Sequence, residues 1–335
     1  MSVGIKEIAI HAGVSPSTVS LALRGSNRIP ETTKTRIKQI ASELNYSPNL
    51  LARGLAGQKT QTIGILVPKL RDLYIVEIIA AQENWLKQKG FASLLTVTHC
   101  EPDIEHKAIS DLLCRGVDGL VFNYVPQEEH ILREIQKIVS EGTPVSFLGT
   151  TTFEIEGVDE VTWNFVKAGY EIGQYLISLG HKRIAYIGLD FYDGRGIGFR
   201  KALQEAGIPA DPELCFEVDY VFQDITRLRK DIMSVKNRPT AIFAYNDDLA
   251  SELMYELIES GYSIPGDVSI VGVNDAWYSP RLRVPLTTYH LPQDQIGLAV
   301  VEFLLNRLEN PLQPSQKRFF EGHLFIRSST GRAPH

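Results

Sequence analysis

The strongest constraint on the fold is a pattern that begins near Thr62, where short apolar segments alternate with charged, amphipathic ones. Seven of these segments have the composition of buried strands: IGILVP (63–68), FASLLTV (91–97), GLVFN (119–123), PVSFLG (144–149), RIAYIG (183–188), TAIFAYN (240–246) and VSIVGVN (268–274). Buried β-branched strands that alternate with helices are typical of a parallel sheet covered on both faces. Because the segments fall in two runs on either side of 161–167, the pattern predicts two similar, doubly wound α/β lobes.

The first 46 residues follow a different, all-helical pattern. Apolar residues share one face over 5–12, and Gly13 then breaks this helix. Ser15 is a favoured N-cap and Pro16 a favoured first helical residue, so a second helix is expected to begin there. A third runs from about Glu31. Two helices joined by a tight glycine-containing turn, with a third packed behind them, are typical of the helix-turn-helix DNA-binding domain.

The segment SPNLLARGLAGQK (47–59) separates these two patterns. Leu51 and Leu55 are four residues apart and would share a helix face, but Gly54 costs about 1 kcal/mol of helix propensity relative to alanine. So short a helix is marginal alone and forms only against a partner. We therefore expect a head at 1–46, a hinge helix and linker at 47–60, and a two-lobed body at 61–335.

The distribution of charge indicates what the head binds. Residues 1–60 contain eight lysines and arginines and three glutamates, which gives a net charge of +5. Since the whole chain carries −6, the remaining 275 residues carry −11. A basic head on an acidic body is typical of a protein whose head meets phosphate.

Three features of the sequence bear on its compartment. No apolar run approaches the ~20 residues that cross a bilayer, and the N-terminus lacks a basic start followed by an apolar signal core. The three cysteines are odd in number and lack metal-ligand spacing. We expect reduced thiols and a cytoplasmic location.

The second helix of the head is expected to enter the major groove. Its early residues Pro16, Ser17 and Leu21 would reach base edges, while Thr18 and Ser20 would bond phosphate. Arg28, Lys34 and Arg36 would add positive charge near the DNA backbone. The candidate DNA contacts of the head are Ser15, Pro16, Ser17, Thr18, Ser20, Leu21, Arg28 and Thr33. The alternative is a three-helix module that binds protein.

IKEIAIHAGVSPSTVSLALRGSNRIPETT and NYSPNLLARGLAGQKTQTIGILVP together resemble the head, hinge and first strand of the LacI/GalR regulators. VDGLVFN, LGHKRIAYIG, TAIFAYND, IPGDVSIVGVND, PLTT and IRSST then follow in family order, so the resemblance covers essentially the whole chain. It implies a dimer, formed mainly through the first lobe, that binds a pseudo-palindromic operator. The region 70–90 and the helix Asp294 to Leu308 are candidate dimer contacts.

The resemblance also implies roles for the hinge and for one position of the head. Leu55 matches the leucine that wedges into the minor groove when the hinge helix folds on DNA, with Asn49 and Ala52 alongside. Leu21 stands where many relatives have an arginine that reads guanine. An apolar side chain cannot make that bidentate contact but can touch a thymine methyl group. We therefore expect an operator that differs from the usual half-site at that position.

The body resembles the periplasmic-binding-protein fold, in which two lobes joined by three crossings enclose a ligand. In open parallel sheets, ligands bind beyond the carboxyl ends of the strands. The residues at such positions, each matching a ligand contact of the family, are Tyr74, Ile75, Asn123, Arg195, Tyr220, Asn246, Asn274 and Asp275. Lobe 1 is expected at about 61–161 and 291–321, and lobe 2 at about 162–290 and 322–335.

Three departures from the family pattern limit what can be said of the ligand. Gly149, Trp163 and Asn274 stand where many relatives have aspartates. A sugar or sugar derivative is expected, with a bulkier glycoside or a non-sugar as alternatives. Whether the ligand releases DNA or promotes binding is not determined by the residues.

The remaining motifs give weak support to catalysis. The run Gly194 to Gly198 lacks dinucleotide-loop spacing, Asp247 and Asp248 are explained as dipole partners of a helix start, and the histidines form no metal pattern. We expect no enzyme activity, no cofactor and no metal. Two alternatives to a regulator stay open: a soluble sugar-binding receptor with a protein-docking head, and a carbohydrate-active enzyme on a similar core.

Overall fold

The computed structural model describes residues 4–23, 26–44, 46, 59–149, 153, 155–188, 193–218 and 224–334. The chain divides into two compact units, Met1–Thr60 and Gln61–His335. Within the described residues, no helix combines the length and apolar character needed to span a membrane.

The first unit is a three-helix domain with helices α1 (Ile5–Ala12), α2 (Pro16–Leu23) and α3 (Glu31–Glu43). Gly13 ends α1 in the left-handed conformation, with φ of 62°, which glycine adopts without steric cost. The backbone N–H of Thr18 donates to Ser15 Oγ at 3.1 Å, so the expected cap of α2 is present. A small apolar core of Ile8, Ala9, Ala12, Val19, Ala22, Ile37 and Ala41 joins the three helices.

The second unit contains two six-stranded sheets covered by helices. Its strands are β1 (Thr62–Val67), β2 (Ala92–Val97), β3 (Gly119–Phe122), β4 (Val145–Leu148), β5 (Val158–Trp163), β6 (Ile184–Gly188), β7 (Cys215–Glu217), β8 (Ala241–Ala244), β9 (Ser269–Asn274), β10 (Thr287–His290), β11 (Lys317–Phe320) and β12 (His323–Phe325). Its helices are α4 (Leu73–Gln88), α5 (Pro102–Cys114), α6 (Glu129–Ser140), α7 (Phe165–Ser178), α8 (Gly194–Glu205), α9 (Ile225–Ser234), α10 (Asp247–Glu259) and α11 (Gln293–Glu309).

The strand orders define the two lobes. The sheet of lobe 1 has the order β11-β5-β4-β3-β1-β2, and that of lobe 2 has the order β12-β10-β9-β8-β6-β7. All paired strands are parallel except β10 and β12. The chain crosses between the lobes three times: from β5 to α7, from β10 to α11 and from β11 to β12.

Sequence analysis missed five of the twelve strands. Strand β5 carries Asp159 and Glu160, which read as exposed residues but are buried in the structure. Asp159 forms a bidentate ion pair with Arg307 of α11, with Nε–Oδ2 and Nη2–Oδ1 distances of 2.8 and 2.6 Å. Arg307, whose charge offsets the cost of burying Asp159, lies 148 residues away along the chain. No local sequence pattern therefore reveals that Asp159 is buried.

Glycines bring α7 and α8 into backbone contact, and this packing places the start of α8. A Cβ added at Gly169 would lie 1.9 Å from the carbonyl oxygen of Arg195, and one at Gly198 would lie 1.9 Å from that of Val166. Any residue other than glycine is thus excluded at positions 169 and 198, where α7 and α8 cross. Arg195, in the first turn of α8, is held against α7 by this contact.

Candidate functional site

The head presents the start of α2 to solvent. Pro16 and Ser17 are exposed, and Thr18, Ser20 and Leu21 are half-buried on the same helix. The hydroxyl of Ser15 caps α2 and also lies 2.7 Å from that of Ser17 and 2.8 Å from that of Thr18. An exposed helix start with a cluster of hydroxyls has the shape and hydrogen-bonding groups of a surface that enters a DNA groove.

The positive charge near α3 is partly paired within the helix. Lys34 is buried, and its Nζ lies 2.6 Å from Glu31 Oε1, so its charge is neutralised within the helix. Arg28 and Arg36 are exposed, and Thr33 is half-buried. Lys34 is thus paired with Glu31 in this structure, and the charge that it supplies near the DNA backbone stays a prediction. The hinge candidates Asn49, Ala52 and Leu55 lie outside the described residues.

A cleft separates the two lobes of the body, and capped helices begin around it. Asp72 caps α4, Asn164 caps α7, Asp193 caps α8 and Asn246 caps α10, each by accepting a hydrogen bond from a backbone N–H two or three residues later. The Asn246 side-chain oxygen accepts from Leu249 N at 2.9 Å. Asn246 thus has at least a structural role in starting its helix.

Tyr74 and Arg195 belong to a continuous row of aromatic rings and one cation. The Tyr74 ring meets that of Trp163 edge-on with centroids 5.0 Å apart, and Trp163 lies 4.6 Å from Phe165. The Arg195 guanidinium lies 4.9 Å from the Phe165 centroid and 4.1 Å from that of Tyr245. This row combines flat apolar faces with one positive charge, which suits a ring compound carrying hydrogen-bond acceptors.

Three buried polar atoms around the cleft have no hydrogen-bond partner among the described residues: Tyr74 Oη, Arg195 Nε and Asn274 Oδ1. Each belongs to a residue at most 6% exposed. A buried polar group without a partner costs about 1–3 kcal/mol. Burial also raises the pKa of the Tyr74 hydroxyl well above its ordinary value. A ligand that supplied one acceptor and one donor would satisfy Arg195 and Asn274 together.

One part of the cleft is narrow. Leu73, Tyr74 and Glu77 of α4 face Asp247, Asp248, Asn274 and Ala276 of lobe 2 across a space of about 10 Å³ that Gln293 also lines. This is about the room that a single water needs, whereas ligand pockets measure about 300–1,000 Å³. A ligand of ordinary size therefore does not fit between these residues unless they move apart.

Carboxylates of each lobe lie near backbone amides of the opposite lobe. Asp248 lies near the Leu73 amide, and Glu77 lies near that of Trp277. Burial is the largest influence on both carboxyls and raises the pKa of each. Arg71 and Glu252 add an exposed pair at 3.9 Å, which contributes little because it is solvated.

The other predicted ligand residues are held by the protein itself. Asn123 and Gln82 exchange two side-chain hydrogen bonds inside lobe 1, and Ile75 packs in the apolar core. Both Asp275 oxygens are engaged, one 2.6 Å from Arg327 Nη2 and the other 3.1 Å from His290 Nδ1. Tyr220 lies outside the described residues. The structure thus brings Tyr74, Arg195 and Asn274 to the cleft with unsatisfied atoms, and it places the other described candidates, Ile75, Asn123, Asn246 and Asp275, in supporting positions.

Sequence analysis missed several residues of the cleft. Phe165, Tyr245 and Gln293 were not singled out, although Tyr245 directly follows β8 and is adjacent to Asn246. The sequence predicts that Asp247 acts as a helix-dipole partner, whereas in the structure its carboxylate is buried and accepts three hydrogen bonds. Position after a strand was the available signal for Tyr245 and Asp247.

Comparison with known proteins places this architecture in a family. The model of the bacterial regulatory proteins of the lacI family matches residues 4–49, and that of the periplasmic binding protein-like domain matches residues 174–330. The HTH-type transcriptional repressor PurR of Vibrio atlanticus (strain LGP32) is 30% identical over 329 residues, which cover 95% of each chain. The chain belongs to the LacI family.

Solved structures agree with this LacI-family assignment. The lac repressor dimer bound to operator and the anti-inducer ONPF aligns with a TM-score of 0.86 over 99% of this chain and 100% of that one, at 24% identity, which shows a shared fold. A LacI-family regulator from Enterococcus faecium, solved with bound ribose, is 27% identical and aligns with a TM-score of 0.73 over 82% of this chain and all of its own. The expected family, fold class and general function as a DNA-binding transcription regulator are confirmed.

Proposed function

We propose that this LacI-family protein is a dimeric, cytoplasmic repressor whose affinity for a pseudo-palindromic operator is controlled by a sugar or sugar derivative bound between its lobes. The observation that carries the proposal is the set of buried, unpartnered atoms on Tyr74, Arg195 and Asn274. A ligand bound at this cleft would supply the missing hydrogen bonds and so offset the free-energy cost of burying these atoms.

The residues of the head divide between base reading and phosphate binding. Pro16, Ser17 and Leu21 would contact base edges, and Ser15, Thr18, Ser20, Arg28 and Thr33 would contact phosphate. Asn49, Ala52 and Leu55, within the proposed hinge 47–60, would contact the minor groove. The proposed domains are a head at 1–46 and a body at 61–335. The PurR relatives, 30% identical over nearly the whole chain, are named repressors, which supports repression.

In the body, Tyr74, Arg195 and Asn274 would bond the effector directly. Asn246, Tyr220 and Asp275 would shape the lobe 2 side, and Ile75 and Asn123 the lobe 1 side. The ribose bound to the Enterococcus faecium relative supports a carbohydrate effector. Because the part of the cleft between Tyr74 and Asn274 holds about 10 Å³ in the present arrangement, an effector placed there would favour a more open one. A ligand shifts such an equilibrium only by its difference in affinity for the two arrangements.

Selection of operators from randomised DNA, with and without a panel of sugars, tests the proposal. We expect a palindromic site whose enrichment changes with one compound, and binding that weakens steeply with salt. A site without any ligand response would leave the DNA-binding regulator and overturn its control by a sugar. No enrichment at low or moderate salt would instead favour a sugar-binding receptor whose head docks on protein.

A further inference from the structure

Two consecutive residues that are not glycine adopt the left-handed backbone conformation at the end of β9. Asn274 has φ of 102° and Asp275 has φ of 54°. Such conformations cost of order 1–3 kcal/mol each and persist only where the surroundings hold them. Something in lobe 2 must therefore fix this turn.

The two side chains of the turn face different parts of the molecule. Asn274 lines the cleft opposite Tyr74. Asp275 is bound by His290, the last residue of the crossing strand β10, and by Arg327, two residues beyond β12. Gln293, at the start of α11 in lobe 1, donates to the backbone oxygen of Asn274. The turn therefore links the effector cleft to two of the three crossings between the lobes.

Asp247 holds this turn from within. Its Oδ2 accepts from Ala276 N at 2.8 Å and from the Ser279 hydroxyl at 2.6 Å. Its Oδ1 accepts from the Thr288 hydroxyl at 2.5 Å, and that hydroxyl oxygen accepts in turn from Asp275 N at 3.2 Å. One carboxylate thus connects the helix after Asn246, the turn after Asn274 and the crossing strand β10.

The strand beside the carboxylate is shaped to admit it. A Cβ on Gly272 would lie 2.2 Å from Asp247 Oδ1, so any other residue there would displace the carboxylate. Asp247 itself is only 1% exposed. Burial raises the pKa of its carboxyl to about 7, against the three hydrogen bonds that lower it. Burying a carboxylate destabilises the folded state unless well-placed hydrogen bonds offset the loss of its hydration.

We propose that Asp247 is a positioning residue: it holds Asn274 and Asp275 in the left-handed turn that presents Asn274 to the effector and, through Thr288, joins that turn to the strand crossing into lobe 1. The functional part of this inference rests on the proposed control by an effector. When an effector binds and Asn274 moves, β10 then moves with it, because the hydrogen bond between Asp247 and Thr288 connects the turn to this strand.

The test is amide hydrogen exchange resolved to single residues on the full-length protein, which needs neither operator nor effector. Each substitution is measured at an amide whose direct acceptor it leaves in place. Asp247→Asn is followed at Asp275 N, which bonds Thr288, and Thr288→Val at Ala276 N, which bonds Asp247. We expect exchange about ten-fold faster or more at these amides, with strands β6 and β8 changed less than about two-fold.

Two further variants keep the test decisive. Thr288→Ser retains the hydroxyl, so the Ala276 amide should be as protected as in the wild type. The Thr288 variants do not depend on Asp247→Asn and still decide the test if that variant fails to fold. Glu252, on the same helix, makes a long, exposed contact with Arg71, so Glu252→Gln should leave the turn unchanged. Full protection of Ala276 in Thr288→Val, failure of Thr288→Ser to restore it, or equal acceleration throughout lobe 2 would overturn the proposal.

Titration with D-ribose, D-glucose and cellobiose then separates this inference from the proposed function. Thr288→Val should bind any of these sugars that wild type binds about ten-fold more weakly, while Thr288→Ser binds as wild type does. Unchanged affinity in Thr288→Val would overturn the functional role of the turn. If wild type binds no sugar in any such experiment, the carbohydrate effector fails, and the exchange rates still decide whether Asp247 holds the turn.

Discussion

Gln82 and Asn123 exchange two side-chain hydrogen bonds inside lobe 1, with Nε2–Oδ1 and Nδ2–Oε1 distances of 2.7 and 3.0 Å. Both residues are buried. Removing one amide leaves the other without its partner, so Asn123→Ala and Gln82→Ala should each lower the unfolding free energy by about 1–3 kcal/mol beyond the loss of packing. Urea denaturation measures this.

The matched control for this pair is the double variant Gln82→Leu with Asn123→Leu. It removes both polar groups together and should cost clearly less than the sum of the single leucine variants. Strict additivity would contradict the view that the two amides depend on each other. It would then leave Asn123 free for the effector role that its position after β3 predicts.

Arg195 should be dispensable for folding. Its guanidinium is buried and stacked on Phe165 and Tyr245, and its Nε has no partner among the described residues. Arg195→Met keeps apolar contact and removes a buried charge together with its contacts to Tyr245 and Phe165, so the unfolding free energy should change by no more than about 1 kcal/mol. Arg195→Lys keeps the charge without the flat stacking surface and should be less stable than Arg195→Met. The reverse order, measured by thermal denaturation, would show that Arg195 is mainly structural.

Leu21 should determine one base of each operator half-site. It lies half-buried on α2, where it can touch a thymine methyl group but cannot bond guanine. Leu21→Arg should shift one position per half-site toward guanine in operators selected from randomised DNA, with the spacing between half-sites unchanged. Recovery of guanine at that position by the wild-type protein would contradict the assignment.

His181 should make the body sensitive to acid. Burial lowers the pKa of its imidazole, which lies 2.9 Å from the Thr240 hydroxyl and 3.0 Å from the Gly331 carbonyl oxygen. A depressed pKa means that the unfolded chain binds the proton more readily. The stability that His181 contributes is complete above the unfolded pKa of about 6.5 and is lost as the pH falls from there through the folded pKa.

The control for this pH dependence is a histidine with the opposite shift. The pKa of His106 is raised, mainly by its hydrogen bond to Glu134. His181→Gln should flatten the fall of the denaturation midpoint between about pH 7.5 and 5.5, whereas His106→Gln should not flatten it. Equal slopes in wild type and His181→Gln would contradict a buried, neutral imidazole.

The sequence by itself determined the parts of this protein that depend on local chemistry. Ser15, Pro16 and Gly13 predict where α1 ends and α2 begins, because caps and left-handed turns are decided within a few residues. The seven apolar strand segments predict the parallel sheets for a similar reason, since burial on both faces excludes charge. Position after a strand was enough to place Tyr74, Arg195 and Asn274 at one cleft.

Only the tertiary structure decided which charged and polar groups are buried, and against what. Lys34 reads as a surface cation but is neutralised by Glu31, and Asp159 reads as exposed but is buried against Arg307. Asp247 is bound by Ser279 and Thr288, which lie 32 and 41 residues further along the chain. A buried charge is tolerated only beside partners of fixed geometry. Those partners come together only when the chain has folded, because the distances that matter are in space and not along the sequence.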